Sequence, residues 1–123
     1  MTVGVSSWRE VTIASGASLS DALDMRGFRV IALRQPASCE GAVFTFQGSY
    51  DGGATFEDIQ TEAAELSITK SATLAQLLIL KQDFCIFGPT HLKVRTGTSA
   101  GPTVQVTTAV VVSVCLQDVG IDS

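Results

Sequence analysis

Val104-Gln105-Val106-Thr107-Thr108-Ala109-Val110-Val111-Val112-Ser113-Val114-Cys115-Leu116 is the stretch whose reading decides the fold class. Val104, Val106, Thr108, Val110, Val112, Val114 and Leu116 share one parity, and Gln105, Thr107, Ala109, Val111, Ser113 and Cys115 the other. Successive side chains of an extended chain point to opposite faces, so this period of two describes one long strand with an apolar face. Its β-branched content agrees, because Val and Thr pack well on a pleated surface and lose rotamer freedom in a helix.

Working outward, Phe28 to Leu33 is almost continuously apolar and reads as a central strand, while Ala42, Phe44, Phe46 and Gly48 alternate with Val43, Thr45, Gln47 and Ser49. Turn signals at Ser15-Gly16, Arg26-Gly27, Pro36, Asp51-Gly52-Gly53, Gly88-Pro89, Gly97 and Gly101-Pro102 cut the chain into short segments. Short strands with frequent turns imply a sandwich or barrel. Ser18-Leu19-Ser20-Asp21 and Thr73-Leu74-Ala75-Gln76 have the form of capping boxes, Leu74, Leu77 and Leu78 fit helical spacing, and Thr61 to Leu66 is a third ambiguous piece. Their short length and their position favour strands at Leu19 to Leu23 and Ala75 to Leu80, with one helical turn at Gln82 to Phe87. The expectation is an all-β, antiparallel, jelly-roll-like sandwich of about eight strands over residues 8–123, preceded by an arm at residues 1–7.

A chain of 123 residues suits one domain and hides roughly two-thirds of its unfolded surface on folding. Apolar residues make up 46% and charged residues 16%, a balance that leaves surface for neighbours to cover and predicts a homo-oligomer. Twelve acidic against eight basic residues give a net charge of −4, which repels a phosphate backbone and argues against nucleic acid. The longest apolar runs, Leu77 to Leu80 and Ala109 to Val112, fall far short of the roughly 20 residues that cross a bilayer. The first residues lack a secretory pattern, so folding in the cytosol is expected, with Cys39, Cys85 and Cys115 as reduced, buried, small apolar side chains.

The most specific motif is Ser49-Tyr50-Asp51-Gly52-Gly53-Ala54-Thr55-Phe56. It resembles the Asp-box, S-x-D-x-G-x-T-W/F, of sialidases and other β proteins, where the box is a structural turn. Asp51 is expected to fold its carboxylate onto following N–H groups, Gly52 or Gly53 to take positive φ, and Thr55-Phe56 to restart the strand. Ser49, Asp51, Gly52, Gly53, Thr55 and Phe56 are therefore structural hairpin residues. A single copy in a chain this short does not make a propeller.

Catalytic and cofactor patterns are not found. Asp51, Glu57 and Asp58 lack EF-hand spacing, His91 is the one histidine and no G-x-S-x-G elbow accompanies it, and no P-loop, G-x-G-x-x-G or zinc spacing occurs. Glu40, Glu57, Asp58, Glu62 and Glu65 read as solvated loop charges rather than a hydrolytic pair. Lys93 and Arg95 share one strand face, and Arg29 and Arg34 flank another strand, as solubilising charge or as partners for local salt bridges. No catalytic residue, metal or cofactor is assigned.

Asp21 to Pro36, Phe44 to Gly53 and Leu92 to Pro102 together resemble the small virion-associated β-sandwich proteins of tailed bacteriophages. The resemblance implies a non-enzymatic structural protein made in the host cytoplasm and carried on the capsid surface, a decoration or cement protein. Its implied partners are the major capsid protein and further copies of itself, with a trimer favoured; a tail or head-fibre component is the nearest variant. A similar pattern occurs in carbohydrate-binding jelly-roll modules, for which Trp8, Tyr50 and Phe56 are the aromatic candidates.

Overall fold

Among the described residues, nine strands pair as a ribbon folded back on itself. The structure, a computed structural model, describes residues 6–61, 64–80, 86, 88–106 and 108–118. Its strands are β1 (Ser6–Ile13), β2 (Leu23–Asp24), β3 (Phe28–Gln35), β4 (Val43–Ser49), β5 (Glu57–Asp58), β6 (Ile68–Thr69), β7 (Gln76–Ile79), β8 (His91–Thr96) and β9 (Val110–Asp118). Antiparallel pairing joins β1 to β9, β2 to β8, β3 to β7, and β4 to both β5 and β6. Alternate pairs of this ribbon lie in alternate sheets, giving sheet A in the order β1-β9-β3-β7 and sheet B in the order β2-β8-β4-β5. That wrapping is a jelly roll.

The expected eight strands become nine because the partner of β4 is interrupted. β5 pairs with Gln47 and Gly48, β6 pairs with Val43 and Phe44, and the chain between them makes an excursion closed by a Gln60–Glu65 bridge. The two sheets enclose Val11, Ile13, Val30, Leu33, Phe44, Phe46, Leu92, Val94, Val110, Val112, Val114 and Leu116, all nearly or fully buried, with Met25, Cys39 and Ile86 among the residues closing the core. Phe44 and Phe46 lie on the inner face of β4, as their parity predicts.

The long closing strand is shorter than its alternation suggests. β9 begins at Val110, and upstream the parity is inverted: Gln105 is buried while Val104 and Val106 are exposed. The amide of Gln105 is the reason. Its Nε2 donates to Glu40 O and Thr96 Oγ1, both at 3.1 Å, and its Oε1 accepts from Glu40 N at 3.1 Å. Its backbone accepts from Gly16 N and donates to Ala17 O. A side chain that meets every hydrogen-bonding demand can be buried in place of a valine.

Other expectations shift in detail. Ser6 and Ser7, assigned to the arm, belong to β1 and pair with Gln117 and Leu116; residues 1–5 lie outside the described residues. The strand expected at Leu19 to Leu23 reduces to an isolated bridge between Leu19 and Arg95 and the start of β2. The strand expected at Ala75 to Leu80 is β7. Of the helical turn expected at Gln82 to Phe87, only Ile86 is described, and it bridges Val30 instead. Cys39 and Cys115 are buried thiols, and Cys85 lies outside the described residues.

Candidate functional site

The Asp-box-like turn links β4 to β5 as a hairpin. Ser49 Oγ donates to Asp51 Oδ1 at 2.7 Å and accepts from Gly53 N at 2.9 Å, while Thr55 N donates to Asp51 Oδ1 at 2.9 Å. Gly52 and Gly53 have φ of 79° and 97°, a region that side chains with a Cβ disfavour. The Ser49 hydroxyl first, then the Thr55 N–H, hold the Asp51 carboxyl at about 2. The strand restarts at Glu57, two residues after Thr55. Phe56 is half-buried under Lys93, whose Nζ sits 4.4 Å from the ring centroid.

His91 is part of this turn's support. Its Nδ1 lies 3.2 Å from Thr90 Oγ1, and its ring stands beside Gly53, 3.6 Å from where a Cβ would project. Thr90 Oγ1 donates to Ser49 O and accepts from Gly52 N. Next to the turn, Gly48, Tyr50, Glu57, Asp58, Ile59 and Pro89 border a shallow pocket of about 230 Å³. Tyr50 is 75% exposed at its rim.

The outer face of sheet B is polar and cross-linked. Arg95 is buried, with Nε donating to Thr45 Oγ1 at 2.9 Å and Nη2 paired to Glu65 at 2.7 Å and Asp58 at 3.0 Å. Gln47 Nε2 adds a bond to Asp58, and Glu65 also accepts from Ser99 N. Three carboxylates read from the sequence as solvated are therefore engaged: Asp58 and Glu65 by Arg95, and Glu40 by Val106 N at 2.6 Å. Glu57 is exposed, and Glu62 lies outside the described residues. Lys93 and Arg95 share this face, as their spacing predicts, with different roles.

At the end of the core, buried Lys70 donates to Cys39 O at 2.6 Å and Ser71 O at 3.1 Å, with Nζ 5.1 Å from the Phe44 ring. Burial pushes its ammonium pKa down and the Cys39 thiol pKa up. Among the described residues, no group of three or more His, Cys, Asp or Glu side chains is placed to hold a metal.

The outer face of sheet A is of another kind. Register sets Trp8, Cys115, Ala32 and Ile79 in one row across β1, β9, β3 and β7. Glu10, Ser113, Arg34 and Leu77 form the next row, and Thr12 and Val111 begin a third. Trp8 is 49% exposed, Leu77 60%, Ile79 70% and Val111 41%. Cys115 and Ala32, small and nearly buried, form the floor between the large residues on the two edge strands. A depression of about 160 Å³ lies between Trp8, Arg34, Leu77 and Ser113. Toward the rim, Arg29 Nε donates to Gln117 Oε1 at 2.7 Å.

This face was missed as a site by sequence reasoning. Its signal was present in the unbroken run Leu77-Leu78-Ile79-Leu80, because a strand that turns Leu78 toward the core and leaves its neighbours apolar carries a hydrophobic outward face. Trp8, considered a sugar-stacking residue on a loop, stands instead on β1 in this face.

The fold and these faces define a jelly-roll sandwich with one cross-linked polar face and one open apolar face. No protein-family model matches the chain, and a search of curated proteins returns no match.

Proposed function

We propose that this chain is a structural protein of a virion, a capsid decoration protein that works by protein–protein contact through the outer face of sheet A. The observation that carries the reading is the exposed apolar row of Trp8 and Ile79 with Leu77 beside it. Soluble proteins leave few such patches open, and a contiguous one with a polar border suits a partner protein. Many copies on a lattice turn modest individual contacts into firm attachment. The virion setting rests on the phage-like sequence pattern and supplies the partner, a major capsid protein.

The test is stoichiometric rebinding of the purified chain to particles stripped of it, followed by mass spectrometry of the recovered shells. Saturable rebinding that fails in a Leu77→Ser/Ile79→Ser variant supports the reading. Absence from particles, or rebinding indifferent to those changes, counts against it.

A second reading, saccharide binding, has one observation in its favour. The exposed Tyr50 ring stands beside Glu57 and Asp58 at the shallow pocket, a pairing of stacking surface and hydroxyl acceptors. Saturable glycan binding lost in Tyr50→Ala would promote it over the first.

A further inference from the structure

We infer that β1, β9 and β3 of the sheet A face pack against a second copy of the same chain, related by a two-fold axis that runs along β9, which leaves Leu77 and Ile79 on β7 outside the pairing and open to the lattice partner. This deepens the assembly reading and rests on it. Take the strands of the face in order, β1, β9, β3, β7. A two-fold axis lying in the contact plane along β9 keeps every row at its own height and exchanges the positions of β1 and β3.

Trp8 of one copy then meets the position of Ala32 in the other, and Ala32 is part of the nearly buried floor between the large edge residues. A large indole set against a small side chain suits the interdigitation of packed sheets. The same operation brings Glu10 of one copy over Arg34 of the other, since both pair with Ser113 from opposite sides. Within the chain neither Glu10 nor Arg34 has an ion pair or hydrogen bond to a described side chain. Two strand spacings, about 10 Å, separate their backbones across Ser113, and the chain leaves the two charges apart.

Both matches follow from one axis, and each occurs twice, as an isologous contact demands. An axis between β9 and β3 would set Trp8 against Ile79, ridge on ridge, and Glu10 against Leu77, so the pattern distinguishes between placements. Three strands of overlap make a small interface, and the association is therefore concentration-dependent. Thr12 and the Arg29–Gln117 pair provide the polar rim.

The experiment is sedimentation equilibrium of the full chain over a wide concentration range, with circular dichroism and thermal unfolding to verify folding. The wild type is expected to rise from 12.9 kDa toward twice that mass. Glu10→Arg alone and Arg34→Glu alone each place like charges together and weaken the dimer by about tenfold or more, while the double exchange restores it. A wild type monomeric at every concentration, a trimeric mass, or a double exchange no better than the single ones would overturn the inference. If the chain stays monomeric yet Leu77→Ser/Ile79→Ser abolishes rebinding to stripped particles, the two-fold pairing fails and the assembly reading stands. If neither dimer nor rebinding is seen, both fail.

Discussion

The two outer faces of the sandwich meet solvent in opposite ways, the longer strands of sheet A lying open and the shorter ones of sheet B covered. Sheet B turns outward Thr45, Gln47, Lys93 and Arg95, and Asp58 at the end of β5 and Glu65 in the excursion after it engage Arg95 there. Sheet A turns outward Trp8, Leu77, Ile79 and Val111, and no described segment lies across them. A covered polar face contributes to the stability of the chain that owns it, because its charges are already matched. An open apolar face contributes little until a partner arrives. The difference separates residues that hold the fold from residues available for contact.

Mutations should divide along the same line. Arg95→Ala strips the partner from two partly buried carboxylates and from Thr45, and is expected to destabilise the chain by about 3 kcal/mol in urea unfolding. A loss under about 1 kcal/mol would show that the network is solvated and the contrast between faces overstated. Gln105→Leu keeps the bulk but orphans Glu40 N and O, at a cost of about 2 kcal/mol by the same measurement.

On sheet A, Leu77→Ser and Ile79→Ser are each expected to cost less than about 1 kcal/mol, since both side chains are already mostly exposed. Their effect should appear in rebinding to stripped particles instead. A large loss of stability from either would mean that the face is covered from within.

The smallest effect concerns the Asp51 turn. Its carboxyl is held at about 2, below the ordinary value of 3.8, so its bonds to Ser49 and Thr55 are complete above that ordinary value. They are lost as pH falls from there through about 2. The Thr55 amide resonance should titrate with that low midpoint, and Asp51→Asn should abolish the titration while the sandwich persists. A midpoint near 4 would show the turn bonds to be open in solution.

Much of the architecture was legible because one face of each strand is buried. Phe44, Phe46, Val112 and Val114 announce their inward parity, and the glycines at 52 and 53 mark the turn that follows β4. The apolar balance and the ribbon of short strands were enough for the sandwich class. What alternation could not reveal was the phase change at Gln105, since a buried amide and an exposed one have the same letter. The division of β4's partner into β5 and β6 was equally hidden, as was the convergence of Asp58 and Glu65 on Arg95. Each depends on a residue distant in sequence.

From its residues alone this chain determined its strand content, its inward faces and its turns, because period, β-branching and glycine act over a few neighbours. Tertiary structure alone decided which strands pair, and so that Trp8, Cys115, Ala32 and Ile79 stand in one row while Glu10 and Arg34 flank Ser113. Cross-strand register is a relation between segments far apart in the chain, and no local pattern of side chains contains it.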